Sequence, residues 1–198
     1  MIKIKYKVLF ILAIILTFSL QSINVFSLAN NGIGLTGEYY DNMVFTNQKL
    51  KMIDPIVGFD WRYGTPSAQI STDTFSARWT GQVEAKYSQT YTFYALSDDG
   101  VRLWVNNQLV INDWTDKGNK ARETKGSINL IADQKYDMKL EYYEKTRRAT
   151  IKLSWSSLSQ GKQIIPQNSL YPELASVQPI LCQFTSAFWD KTNVKEGE

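Results

Sequence analysis

From Leu35 onward, apolar and polar residues alternate with a period of two, in runs rich in Val, Ile, Tyr, Phe and Trp separated by turn residues. Successive side chains on a strand point to opposite faces, so the pattern predicts strands, and its repetition predicts an antiparallel β-sandwich or barrel. The clearest piece is Val101 to Asn112. There Val101, Leu103 and Val105 alternate with Arg102, Trp104 and Asn106, Asn106-Asn107 turns the chain, and Leu109 and Ile111 return. It reads as a tight hairpin. Further strands are expected at Gly37 to Tyr40, Phe75 to Ala85, Thr90 to Leu96, Gly126 to Ile131, Tyr136 to Tyr143 and Ala149 to Trp155. Trp79, Trp104 and Trp155 lie inside these patterns and are expected to pack. The stretch Met52 to Ser71, with Pro55, Gly58, Gly64 and Pro66 around Phe59-Asp60-Trp61, reads as a long loop tied down by its aromatics, Trp61 included.

The N-terminus follows another pattern. Lys3, Lys5 and Lys7 precede VLFILAIILTFSL, a charge-free run of 13 residues from Val8 to Leu20. A spanning helix needs about 20 apolar residues, so residues 1–29 are expected to be a secretory signal peptide, cleaved after Ser27 or Ala29. Beyond Tyr171-Pro172 the alternation fades, and residues 173–198 read as a linker or the truncated start of a further segment.

Composition narrows the function. The chain has 22 Lys+Arg against 19 Asp+Glu, and the three lysines of the leader account for the excess. A near-neutral domain without a basic stripe carries no electrostatic footprint for nucleic acid, and its relation to a membrane is expected only through the export signal. Cys182 has no partner in the chain, so the core rather than disulfides must hold the fold. The absence of histidine excludes a Ser-His-Asp triad, a Cys-His dyad and any His-ligated metal site.

The most conspicuous candidate for chemistry is Asp98-Asp99-Gly100. Neighbouring carboxylates on a regular strand point apart, so chelation of one ion by both requires a turn or a cis peptide, and Gly100 is expected to permit the unusual dihedrals that follow. Asp and Gly are also ordinary turn formers, and a purely polar turn is the other reading. A glycosidase needs two carboxylates facing each other across a cleft, which adjacent residues on one turn do not do; the chain is expected not to be an enzyme.

Four separated motifs then carry a family resemblance: GLTGEYYDNMVF at Gly34 to Phe45, FSARWTGQVEAKYSQTYTFYALSDDGVRLWVNNQLVINDW at Phe75 to Trp114, INLIADQKYDMKLEYYE at Ile128 to Glu144, and IKLSW at Ile151 to Trp155. Together with the closing IIPQNSLYP, they resemble a PA14 domain over residues 34–172. The resemblance implies an antiparallel β-sandwich or barrel-like fold found in toxins, adhesins and glycosidases, so it does not fix one function. In lectin-like members the matching Asp pair holds calcium through a cis peptide, and the ion binds sugar hydroxyls. That implies Asp98 and Asp99 as calcium ligands, with Glu144 as the third, because the family draws it from the following loop. Lys145, Arg147 and Arg148 depart from the glycines many relatives have there, adding positive charge near a proposed cation; Arg147 is a candidate for pairing an acidic sugar. Trp114, beside Asp113, either presents its indole to a sugar ring or packs in the core.

The leading expectation is a secreted or surface-located, non-catalytic, calcium-assisted carbohydrate-binding module whose partner is a glycan or cell-surface polysaccharide. The alternative is a protein-interaction or toxin-assembly domain with a purely structural calcium site or none.

Overall fold

A computed structural model describes residues 31–173. The predicted signal peptide and the segment beyond Glu173 lie outside the described residues. Twelve strands form: β1 (Leu35–Tyr40), β2 (Gln48–Asp54), β3 (Gly58–Arg62), β4 (Phe75–Glu84), β5 (Gln89–Asp98), β6 (Val101–Val105), β7 (Gln108–Asp113), β8 (Arg122–Leu130), β9 (Lys135–Glu144), β10 (Ala149–Ser157), β11 (Gln160–Ile164) and β12 (Leu170–Pro172), the last preceded by a 3-10 turn at Gln167–Ser169. One sheet runs β2-β1-β4-β9-β6-β7, with β12 also on β4; the other runs β11-β10-β5-β8, with β3 also on β10. All the pairings between these strands are antiparallel. The predicted all-β sandwich is therefore the fold.

The period-two pattern does what it predicts on the central strands. Tyr136, Met138, Leu140 and Tyr142 of β9 face Tyr91, Phe93 and Ala95 of β5 and Ile151, Leu153 and Trp155 of β10 in one buried core. Trp79 and Trp155 are wholly buried in it. At the β6–β7 turn, Asn106 and Asn107 have φ of 51° and 59°, the left-handed conformations that a two-residue hairpin turn demands and Asn tolerates.

Three expectations are corrected. Met52 to Ser71 is not one long loop: β2 ends within it and β3 lies wholly inside it. Both sit at sheet edges; β2 buries only Asp54 and shows no alternation, and β3 alternates over only five residues, with Phe59 and Trp61 half-buried; backbone pairing with β1 and β10 made them strands. The aromatic anchoring holds, since Trp61 stacks on Phe59 at 4.9 Å and meets Phe75 edge-on at 5.6 Å. In the hairpin, Leu103 pairs with Ile111 but Trp104 pairs with Leu109, so Val110 bulges out of register and Leu109 is turned to solvent. The bulge lets Val110 approach β8, where Gly126 makes room: a Cβ there would lie 1.9 Å from Val110 O. Trp104, finally, is half-buried on the outer face of the larger sheet, not in the core.

Candidate functional site

Strand β5 belongs to the smaller sheet and β6 to the larger one, so Asp98-Asp99-Gly100 is where the chain crosses between layers. The Asp98–Asp99 peptide is cis. Asp99 N donates to Tyr143 O and Tyr143 N donates to Gly100 O, which fastens the crossing to the end of β9 and brings Glu144 beside the Asp pair. Gly100 has a different role from the one expected. Its φ lies outside the left-handed region, and a Cβ there would sit 2.1 Å from Cε1 of Tyr143, so glycine is required for close approach of that ring.

Asp98, Asp99 and Glu144 are 1%, 2% and 0% exposed. Asp99 is fully engaged: Oδ1 accepts from the backbone N–H of Lys117 and of Gly118, and Oδ2 accepts from Lys145 N at 3.0 Å. It thereby clamps the β7–β8 loop to the β9–β10 turn. Tyr142 Oη donates to Asp98 O and lies 3.1 Å from Glu144 Oε2. Both carboxylate oxygens of Asp98, and Glu144 Oε1, are buried with no hydrogen-bond partner.

Three carboxylates so placed repel one another. Burial first, then the charge of Asp99, pushes the Asp98 carboxyl up to about 6, against the opposing pull of Lys117 and Arg148. The same two causes, in the same order, push Glu144 up to about 9. Sequence reasoning missed the main counter-charge, Lys117. Its buried ammonium donates to Ser97 Oγ at 2.7 Å and Asp99 O at 2.8 Å and pairs with Asp113 Oδ2 at 3.0 Å. Nothing in the loop sequence TDKGN distinguishes this lysine from a solvated one.

An all-oxygen, anionic donor set with unpartnered buried atoms suits a hard cation such as calcium. Among the described residues, however, no three His, Cys, Asp or Glu side chains converge as a ready-made metal cage. The carboxylates alone do not complete a calcium shell.

The family model of the PA14 domain matches residues 32–169. The chain belongs to the PA14 domain family. Anti-sigma-I factor RsgI3 of Acetivibrio thermocellus is 54% identical over 141 residues, which are 71% of this chain and 22% of that protein. A solved structure described as an anti-sigma factor domain-containing protein matches with a TM-score of 0.70 at 52% identity, over 72% of this chain and 49% of that one. The PA14 sugar-binding domain from an RTX adhesin matches with a TM-score of 0.59 at 17% identity, over 71% of this chain and 99% of that one, a likeness of fold. The chain thus spans about a fifth of the curated relative and about half of the first structure.

Within this PA14 domain the other candidate residues are spread around the Asp pair. Asp113 is joined to it through Lys117, and also accepts from Thr115 and Thr124. Trp114 is not buried in the core. It is half-buried, edge-on to Tyr143 at 4.6 Å, stacked with Phe45 at 6.1 Å, and has the Arg102 guanidinium 4.1 Å from its ring centroid. Arg147 is exposed at φ 83°, held by its backbone N–H on Asp73 Oδ1. The positive charge expected near the cation is largely answered, because Lys145 pairs with Asp116 and Arg148 with Asp60. Among the described residues no helix is long and apolar enough to cross a membrane.

Proposed function

We propose that this PA14 domain is an exported, non-catalytic carbohydrate-binding module in which Asp98, Asp99 and Glu144 hold a calcium ion that keeps the fold. The observation that carries the cation is the burial of Asp98 and Glu144 near Asp99, with Asp98 Oδ1 and Oδ2 and Glu144 Oε1 unpartnered. Calcium would neutralise that charge, and further oxygens would have to complete its shell. Asp99 would contribute mainly through the two loops it clamps.

The near-complete burial of all three acids favours a cation that fastens loops over one that touches a sugar directly. The carbohydrate assignment draws support from the fold shared with a domain named as sugar-binding. Likeness to a protein named as an anti-sigma-I factor extends the proposal: the domain serves as the ligand-receiving part of a regulator of that kind, with the apolar run Val8 to Leu20 directing export.

Thermal unfolding in calcium and in chelator, for the native chain and for Asp98→Asn, tests the cation. Calcium at a hundredfold excess over Kd should stabilise the native chain by about 2.7 kcal/mol and leave the variant unmoved. Equal melting of the native chain in calcium and chelator overturns the cation. A glycan array on which the native chain binds nothing overturns the carbohydrate assignment.

A further inference from the structure

The outer face of the larger sheet carries a feature that the cation site does not use. The register pairs Thr80 of β4 with Lys139 of β9, and Lys139 with Trp104 of β6, so these three side chains form one row across the strands. The next row toward the hairpin turn pairs Gln82 with Asp137, and Gln82 Nε2 donates to Asp137 Oδ1 at 2.9 Å. Asn107 of the hairpin turn and Glu173 after β12 also line the space above, an open groove of about 520 Å³. That volume falls in the range of small-molecule sites, and three strands at their usual spacing span about 10 Å, room for about two pyranose rings.

The chemistry of the lining is specific. Trp104 supplies a large apolar ring, positioned by the Lys139 ammonium 4.0 Å from its centroid. Around it stand side-chain amide, hydroxyl and carboxylate groups, from Asn107, Gln82, Thr80 and Asp137, able to accept from and donate to neighbouring hydroxyls. Thr80 Oγ1 already donates to Glu173 Oε2 at 3.2 Å, fixing one rim. A sugar ring, with an apolar C–H face and polar hydroxyl edges, matches an indole ringed by such groups. Asp137 and Glu173 repel a carboxylated or sulfated sugar, while Lys139 has Glu141 3.8 Å away as a counter-charge. The occupant that fits is uncharged.

We propose that this groove binds a neutral oligosaccharide, with Trp104 stacking on a sugar ring and Asp137, Gln82 and Asn107 taking its hydroxyls. The proposal rests on the carbohydrate-binding reading above but places the sugar elsewhere: Lys139 and Glu144 are five positions apart on β9, about 17 Å along the strand. The groove and the cation are therefore separable by mutation.

The test is calorimetric titration of the full chain with soluble β-1,4-glucan, β-1,4-xylan and β-1,4-mannan oligosaccharides, with oligogalacturonate as the acidic arm. Binding of a neutral probe is expected, and Trp104→Ala should weaken it about tenfold or more, with the variant still folded and its response to calcium unchanged. Asp137→Ala, which keeps the backbone and the indole, should also weaken it, while Leu158→Ala at a 95% exposed position should not. Undiminished binding by both groove variants overturns the groove and leaves the carbohydrate function standing. Binding of oligogalacturonate alone overturns the neutral class. No binding of any probe by the native chain, here and on the array, overturns the carbohydrate function and the groove with it.

Discussion

Two buried carboxylate sites can be compared within this fold. Asp54, at the end of β2, is as deeply placed as the Asp98 cluster, yet its Oδ2 accepts from Tyr39 Oη at 2.6 Å and from Trp79 Nε1 at 2.7 Å. Its partners are neutral donors fixed by the aromatic core. Asp98 has comparable burial and no such donors, and two more acids stand near it, with Lys117 and Arg148 only partly offsetting them. A buried polar group is tolerated once hydrogen-bonded, whereas a buried like-charge cluster calls for a positive species. The first site is complete within the protein. The second is the site proposed for an outside cation.

The comparison is broken most severely by removing the self-sufficient acid. Asp54→Ala leaves a buried phenol and a buried indole N–H without their acceptor and should cost about 3 kcal/mol in urea unfolding. The loss should be the same in calcium and in chelator. A calcium-dependent loss would show that the two sites are not independent.

Next comes Gly100→Ala, which tests whether the crossing at the second site tolerates movement. The added methyl collides with the Tyr143 ring, and about 2 kcal/mol of destabilisation is expected from the overpacking. In a Tyr143→Ala background the same glycine change should cost less than it does in the native chain, and a chain unaffected by the glycine change would show that the ring is free to shift.

The smallest effect is in acid and has opposite signs at two carboxyls. Burial is the largest influence on Asp113 and raises it, but hydrogen bonds from Thr115, Thr124 and Lys117 outweigh it and hold the group at about 2. Its contribution is complete above its ordinary 3.8 and is lost as pH falls from there toward 2, because the unfolded chain then binds the proton first. Solvent screening keeps this to about 1 kcal/mol, and Asp113→Asn should flatten that limb of the stability curve. Asp54, raised chiefly by burial, works the other way: the folded chain binds its proton more readily, so stability falls as pH rises through the window above 3.8. Urea unfolding of the native chain, Asp113→Asn and Asp54→Asn across pH 2 to 6 reads both, and a parallel response of the two variants would refute the assignment.

Much of this was legible in the chain. Motifs with long-range order gave the family, and alternation located the central strands because each buries one face against the other sheet. Asp98 and Asp99 stood out as neighbouring acids on a turn. Lys117, Tyr142 and Ser97 did not, since their roles come from three elements meeting at the crossing rather than from any local pattern. Edge strands β2, β3 and β11 were hidden for a related reason: few of their side chains are buried, so their order comes from a neighbour's backbone.

The sequence by itself determined the all-β sandwich, the family and the acidic turn, because period-two burial and turn chemistry are local properties written residue by residue. Only the tertiary structure decided that the acids are buried and in part unpartnered, that Gly100 serves Tyr143, and that Trp104 borders a polar groove. Those depend on which strands lie side by side, and strand pairing joins residues far apart in the chain, such as Trp104 with Lys139 and Lys139 with Thr80.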